Sequence, residues 1–129
     1  MKKKLSPLAL ARLAGQLALT KKGFDVRILK LESISSVCDY FVIASGEADV
    51  HTKALGNAIV DGLNEAGYKP YHKEGMNEGN WILLDYIDVV VHVFLEPTRR
   101  FYALEKLWGD AEVEQLADEG VSTSKAKNE

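Results

Sequence analysis

The sequence predicts a single α/β domain, a small mixed sheet of about five strands with flanking helices mainly on one face. Three observations predict it. Segments of helical periodicity alternate with short apolar runs. The order strand, helix, strand between Tyr40 and His72 implies a right-handed parallel crossover. The stretch from Trp81 to Val93 reads as an antiparallel hairpin with two unlike faces.

Each element follows from local pattern. Ser6 to Lys22 is predicted helical, with Ser6 as cap and Pro7 in the first turn. Leu10, Leu13, Ala14, Leu17 and Ala18 form its apolar stripe, and Gly23 is expected to end it. Asp25 to Leu31 alternates as a strand, and Glu32 to Asp39 is a polar loop. Tyr40 to Ala44 is near-continuously apolar, as a central strand buried on both faces should be. Asp49 is placed to cap a second helix running to about Ala66, with Val50, Leu55, Ala58, Ile59, Gly62 and Leu63 facing inward and Gly67 as its stop. Gly62 is expected to permit close packing on the sheet. A short strand near Tyr68–His72, a glycine-rich link and the hairpin follow. Pro97 opens a third helix reaching about Trp108, with Phe101, Leu104 and Trp108 inward. Residues 1–109 form the domain, and residues 110–129 are expected to be a polar tail, partly disordered.

The hairpin carries the functional signal. Its expected register sets Leu84 opposite Val89, Leu83 opposite Val90, Ile82 opposite Val91 and Trp81 opposite His92, around a turn at Tyr86-Ile87. Alternation then puts Ile82, Leu84, Val89, Val91 and Val93 on one face, which is wholly aliphatic and wants a core. The other face carries Trp81, Leu83, Asp85, Asp88, Val90 and His92, a mixture suited to a surface that a partner covers. An ordinary amphipathic hairpin explains the same pattern without a partner.

Composition narrows the classes. The 129 residues suit one core, and 47% hydrophobic with 27% charged residues is ordinary for a globular protein. A net charge of −3 argues against coating nucleic acid and against autonomous nucleic-acid binding, yet permits a basic protein partner. The lone Cys38 forbids an internal disulfide and fits a reducing, cytoplasmic setting. Arg12 and Gln16 interrupt the apolar run after Lys2-Lys3-Lys4, which argues against a secretory leader, and no window approaches a membrane span.

Catalytic chemistry is weakly signalled. Ser45-Gly46 followed by Glu47 and Asp49 faintly resembles the glycine-serine turn and acid pair of nucleotidyltransferases, but no basic phosphate cradle precedes it, and Asp49 reads more simply as a helix cap. His51, His72 and His92 lack ligand spacing, so no metal site is expected, and Cys38 has no catalytic context. What remains is a surface: Trp81 with Leu83 and His92, bordered by Glu74, Asp85 and Asp88, with Arg99 and Tyr102 as further candidates.

The segments CDYFVIASG (38–46), Glu74-Gly75, NWILLDY (80–86), DVVVHVF (88–94) and RRFYALEKLW (99–108), with His51 early in the second helix, closely resemble the ribosomal silencing factor family, also called the Iojap family. The resemblance covers roughly residues 5–109. It implies a nucleotidyltransferase-like fold without that superfamily's catalytic acids, no cofactor, and no enzymatic activity. It further implies docking on the large ribosomal subunit, through its fourteenth protein, and steric obstruction of subunit joining when nutrients are scarce. Organellar relatives are linked to ribosome biogenesis, which leaves an assembly role open. Carried over by motif, Trp81 and Asp85 are the first expected contacts. The same face also leaves a homodimer open when no ribosome is present. One departure stands out: Ile87 occupies the hairpin-turn position where the family usually has glycine, so the turn must be of another type or strained.

Overall fold

The structure is a computed structural model and describes residues 4–117. The elements are α1 Pro7–Thr20, β1 Phe24–Lys30, β2 Tyr40–Gly46, α2 Asp49–Glu65, β3 His72–Glu74, β4 Trp81–Asp85, β5 Val89–Leu95, α3 Glu96–Tyr102, α4 Leu104–Leu107 and β6 Glu112–Gln115. They build one α/β domain on a six-stranded mixed sheet, ordered β3-β4-β5-β2-β1-β6. Among the described residues only β2 and β5 pair in parallel. The crossover through α2 leads from β2 to the far edge strand β3, and the β4–β5 hairpin then folds back to fill the gap.

The principal core lies between this sheet and helices α1 and α2. Val26, Ile28, Val42, Ala44, Ile82, Leu84, Val89, Val91 and Val93 are fully buried against Leu10, Ala14, Leu55, Ile59 and Leu63. The aliphatic hairpin face is therefore the core face. Ser6 caps α1 by accepting from the Ala9 N–H at 3.1 Å, and Pro7 starts it. Several local expectations are corrected. The left-handed residue after α1 is Lys22, with φ of 67°, rather than Gly23. Gly23 serves instead for space, since a Cβ there would lie 3.0 Å from the Ala18 carbonyl oxygen. Asp49 is the first residue of α2 rather than its cap, and Val50 is exposed. Gly62 faces α1, not the sheet: a Cβ there would stand 2.5 Å from Leu17 Cδ2.

The second face of the sheet is not left open. The third helix breaks at Ala103, which takes a left-handed φ of 48°. The chain turns there, so Leu104 and Trp108 lie on a second cluster of Leu29, Leu31, Cys38, Ile43 and Phe94, while Phe101 points outward. A further strand arises in the segment expected as tail. β6 pairs with β1, and its Glu114 meets Arg12 at 2.8 Å and Lys30 at 3.5 Å. Residues 118–129, where the frayed end was expected, lie outside the described residues.

The hairpin register is slipped by two residues from expectation. Asp85 pairs with Val90, Leu84 with Val91, Leu83 with His92, Ile82 with Val93 and Trp81 with Phe94. An even slip keeps every side chain on its face. The turn sits at Ile87-Asp88, with the Tyr86 N–H donating to Val89 O at 2.8 Å. The Asp88 N–H donates to Tyr86 O at 3.0 Å across Ile87, whose φ is 74°. That is a γ-turn of the rarer hand, which costs a β-branched residue about 1 kcal/mol or more.

Candidate functional site

Cross-strand pairing assembles the face opposite the main core into two rungs. One runs Glu74, Leu83, His92, Ile43, Arg27. The next runs His72, Asp85, Val90, Phe41, Leu29. Burial deepens from β3 toward the middle of the sheet. The β3 residues are exposed, Leu83, Asp85 and Val90 are half-buried, His92 is buried, and Ile43 and Leu29 are buried in the cluster on which Leu104 and Trp108 pack. The face is thus covered at one side and accessible at the other, and Trp81 stands on the boundary.

Trp81 is half-buried. Its ring centroid lies 4.9 Å from that of Phe94 and 4.7 Å from that of Tyr102. Its indole N–H donates to His92 Nδ1 at 3.0 Å. Beside it opens a cleft of about 360 Å³ lined by Asn80, Trp81, Pro97, Thr98, Phe101 and Tyr102. Phe101 and Tyr102 are exposed aromatics, so the cleft has an apolar wall that water wets. Gly75 fixes the approach of the β3–β4 link: its φ is 81°, and a Cβ there would meet the Trp81 carbonyl oxygen at 2.0 Å.

Acids rim the accessible side. Glu74 is exposed and bonded to His72 at 2.7 Å. Asp88 is exposed at the turn. Asp85 has a second task, because its Oδ1 accepts the Ile87 N–H at 2.8 Å and so helps hold the strained turn.

Two expected contacts are corrected. His92 is only 4% exposed, packed against Phe41, Trp81 and Phe94, so it lies inside the face rather than on its surface. Burial pushes its imidazole down to about 4, keeping it neutral. Arg99 is 7% exposed and fully engaged. Its guanidinium donates to Asp25 O at 2.8 Å, Ser45 Oγ at 2.7 Å and Glu105 at 2.6 Å, pinning α3 over the ends of β1 and β2. Burial works to raise Glu105, but the hydrogen bond and charge of Arg99 outweigh it and hold the carboxyl low. Six of the expected residues therefore remain at least partly accessible: Trp81, Leu83, Asp85, Glu74, Asp88 and Tyr102. Sequence reasoning missed Phe94 as the floor under Trp81, and His72. The alternation of β3 against Asp85 would have placed His72 on this face.

The acids at the two ends of β2 do not all lie together. Asp39 precedes β2 whereas Glu47 and Asp49 follow it, a separation of roughly 20 Å along a seven-residue strand. His51 accepts the Glu47 N–H through Nδ1 at 3.0 Å and donates from Nε2 to Lys21 O at 2.8 Å, a loop tether. Cys38 is buried, and desolvation aided by the charge of Asp39 pushes its thiol up to about 11, far from a reactive thiolate. Among the described residues no group of three His, Cys, Asp or Glu is placed to hold a metal, and no helix is long and apolar enough to cross a membrane.

The family model described as "Ribosomal silencing factor during starvation" matches residues 4–129. The ribosomal silencing factor RsfS of Bacillus subtilis is 44% identical over 96 residues, covering 74% of this chain and 81% of that protein. A mouse protein named "Mitochondrial assembly of ribosomal large subunit protein 1" is 32% identical over 102 residues, covering 74% of this chain and 45% of that one. A crystal structure from Chromobacterium violaceum superposes with a TM-score of 0.79 at 32% identity, covering 94% of this chain and 98% of its own. With matches of that extent in both sequence and fold, the chain belongs to the ribosomal silencing factor family.

Proposed function

We propose that this protein is a non-catalytic anti-association factor. It docks on the large ribosomal subunit, through its fourteenth protein, and blocks the small subunit by occupying space. The observation that carries the reading is the half-covered sheet face: a half-buried tryptophan beside an apolar cleft, next to Leu83 and an acidic rim of Glu74, Asp85 and Asp88. Aromatic anchors with a polar rim are typical of energetically concentrated interfaces, and an acidic rim suits a basic partner. Trp81, Leu83, Asp85, Glu74, Asp88 and Tyr102 make the contact, while His92 and Arg99 hold it from within. No cofactor or turnover is required, and the site of action is the cytoplasm, where subunits meet.

Sedimentation of mixed subunits tests it. Added protein should leave free subunits in place of full ribosomes and migrate with the large one. Undiminished formation of full ribosomes at saturating protein would defeat the reading. A second reading, a large-subunit assembly factor, is favoured by the name of the mouse relative. Co-purification with precursor rather than mature large subunits would favour it. A homodimer through the Trp81 face would compete with docking, and light scattering over a concentration series detects it.

A further inference from the structure

We propose that His92 is the positioning residue for Trp81, fixing the indole in the orientation that docks. The proposal rests on the docking reading above and adds a residue that never meets the partner. The geometry is specific. The indole N–H donates to Nδ1 at 3.0 Å, so Nδ1 must be unprotonated and the proton of the neutral ring must sit on Nε2. That Nε2 is buried and meets no acceptor among the described residues. The ring is otherwise surrounded by carbon: its centroid lies 4.5 Å from Phe41 and 6.1 Å from Phe94. A phenyl group would fill the same space without burying an unsatisfied N–H. What imidazole supplies and phenyl cannot is an acceptor for the indole. Tyr102 bounds the indole from α3 and Phe94 from β5, so the hydrogen bond removes the remaining freedom of rotation about the side chain. A consequence follows for the partner. With its N–H spent inside, Trp81 presents ring carbon to the cleft, which suits an apolar or cationic side chain rather than a hydrogen-bond acceptor.

The test compares His92→Phe, which keeps ring volume and loses the acceptor, with His92→Asn, which keeps an acceptor at the same bond distance from Cβ. Hydrogen exchange of the Trp81 indole N–H is read by NMR in the free protein, and affinity is read with purified large subunits. His92→Phe should speed exchange and weaken large-subunit binding, each by about tenfold, while His92→Asn restores much of both. Unchanged exchange in His92→Phe overturns the proposal. So does faster exchange with undiminished binding, provided Trp81→Ala still weakens binding. Undiminished binding by Trp81→Ala would instead remove the docking reading itself. Should His92→Phe fail to fold, imidazole ¹⁵N shifts of the unaltered protein decide: a protonated Nε2 and an accepting Nδ1 are expected, and the opposite tautomer overturns the assignment.

Discussion

Ile87 and Asp85 form a small unit of strain and restraint. The isoleucine holds a φ of 74° at 59% exposure, and the aspartate accepts its N–H. Ile87→Gly relieves the strain and sacrifices little burial, so chemical denaturation should find the variant about 1 kcal/mol more stable. Asp85 must be tested without breaking the turn. Asp85→Asn keeps the acceptor and removes the charge, so folding should be nearly unchanged while large-subunit affinity falls severalfold. The deficit should shrink as salt rises, because charge attraction at an exposed rim is screened. A salt-independent deficit would point to shape rather than charge. His92 supplies a pH signature. An imidazole in the unfolded chain takes its proton near 6.5, but burial lowers the folded value to about 4. Between those values only the unfolded chain binds the proton. Stability contributed by the neutral ring is therefore complete above 6.5 and declines as pH falls toward 4, by about 3 kcal/mol. Denaturation at pH 7 and pH 5 should show this decline, and His92→Phe should flatten it. Arg12, Lys30 and Arg99 hold Glu114 and Glu105 low, so those carboxylates lose their contribution at more acidic pH, which the comparison separates.

At the scale of elements, the hairpin decides which face is core. Val91 is fully buried between Val42 and Leu84. Val91→Asp would bury an unpaired carboxylate at a cost of several kcal/mol, enough to abolish cooperative unfolding in a marginally stable domain. Circular dichroism during heating checks this, and a cooperatively folded variant would mean the faces are reversed. The faces were legible in the sequence because alternation survives a slip of two residues. The register was not, since the tight turn depends on Ile87 adopting a backbone that isoleucine disfavours. The break at Ala103 was hidden for a related reason. Nothing local forbids a helix through alanine, and the left-handed turn is held by the contact between Arg99 and Glu105, six residues apart. β6 was missed because Glu112-Val113-Glu114-Gln115 offers one apolar residue, and its pairing is set by distant Arg12 and Lys30. Burial of His92 and Arg99 was likewise invisible, because it depends on partners distant in sequence: Phe41 and Trp81 pack on His92, and Asp25 and Ser45 receive Arg99.

At the scale of the whole molecule, the sheet divides two duties. Its helix-covered side supplies stability, and its other side grades from a second core under α4 to an accessible apolar and acidic margin. Trp81 stands where the two regimes meet. The measurement that tests this division most directly is unfolding and large-subunit binding determined together for Trp81→Ala. An anchor that fills a pocket on its partner commonly contributes about 2 kcal/mol or more, roughly thirtyfold in affinity. That loss of binding is expected, with folding stability reduced far less than in Val91→Asp. Stability lost as heavily as binding, or binding left intact, would contradict it and place the docking surface elsewhere on the fold.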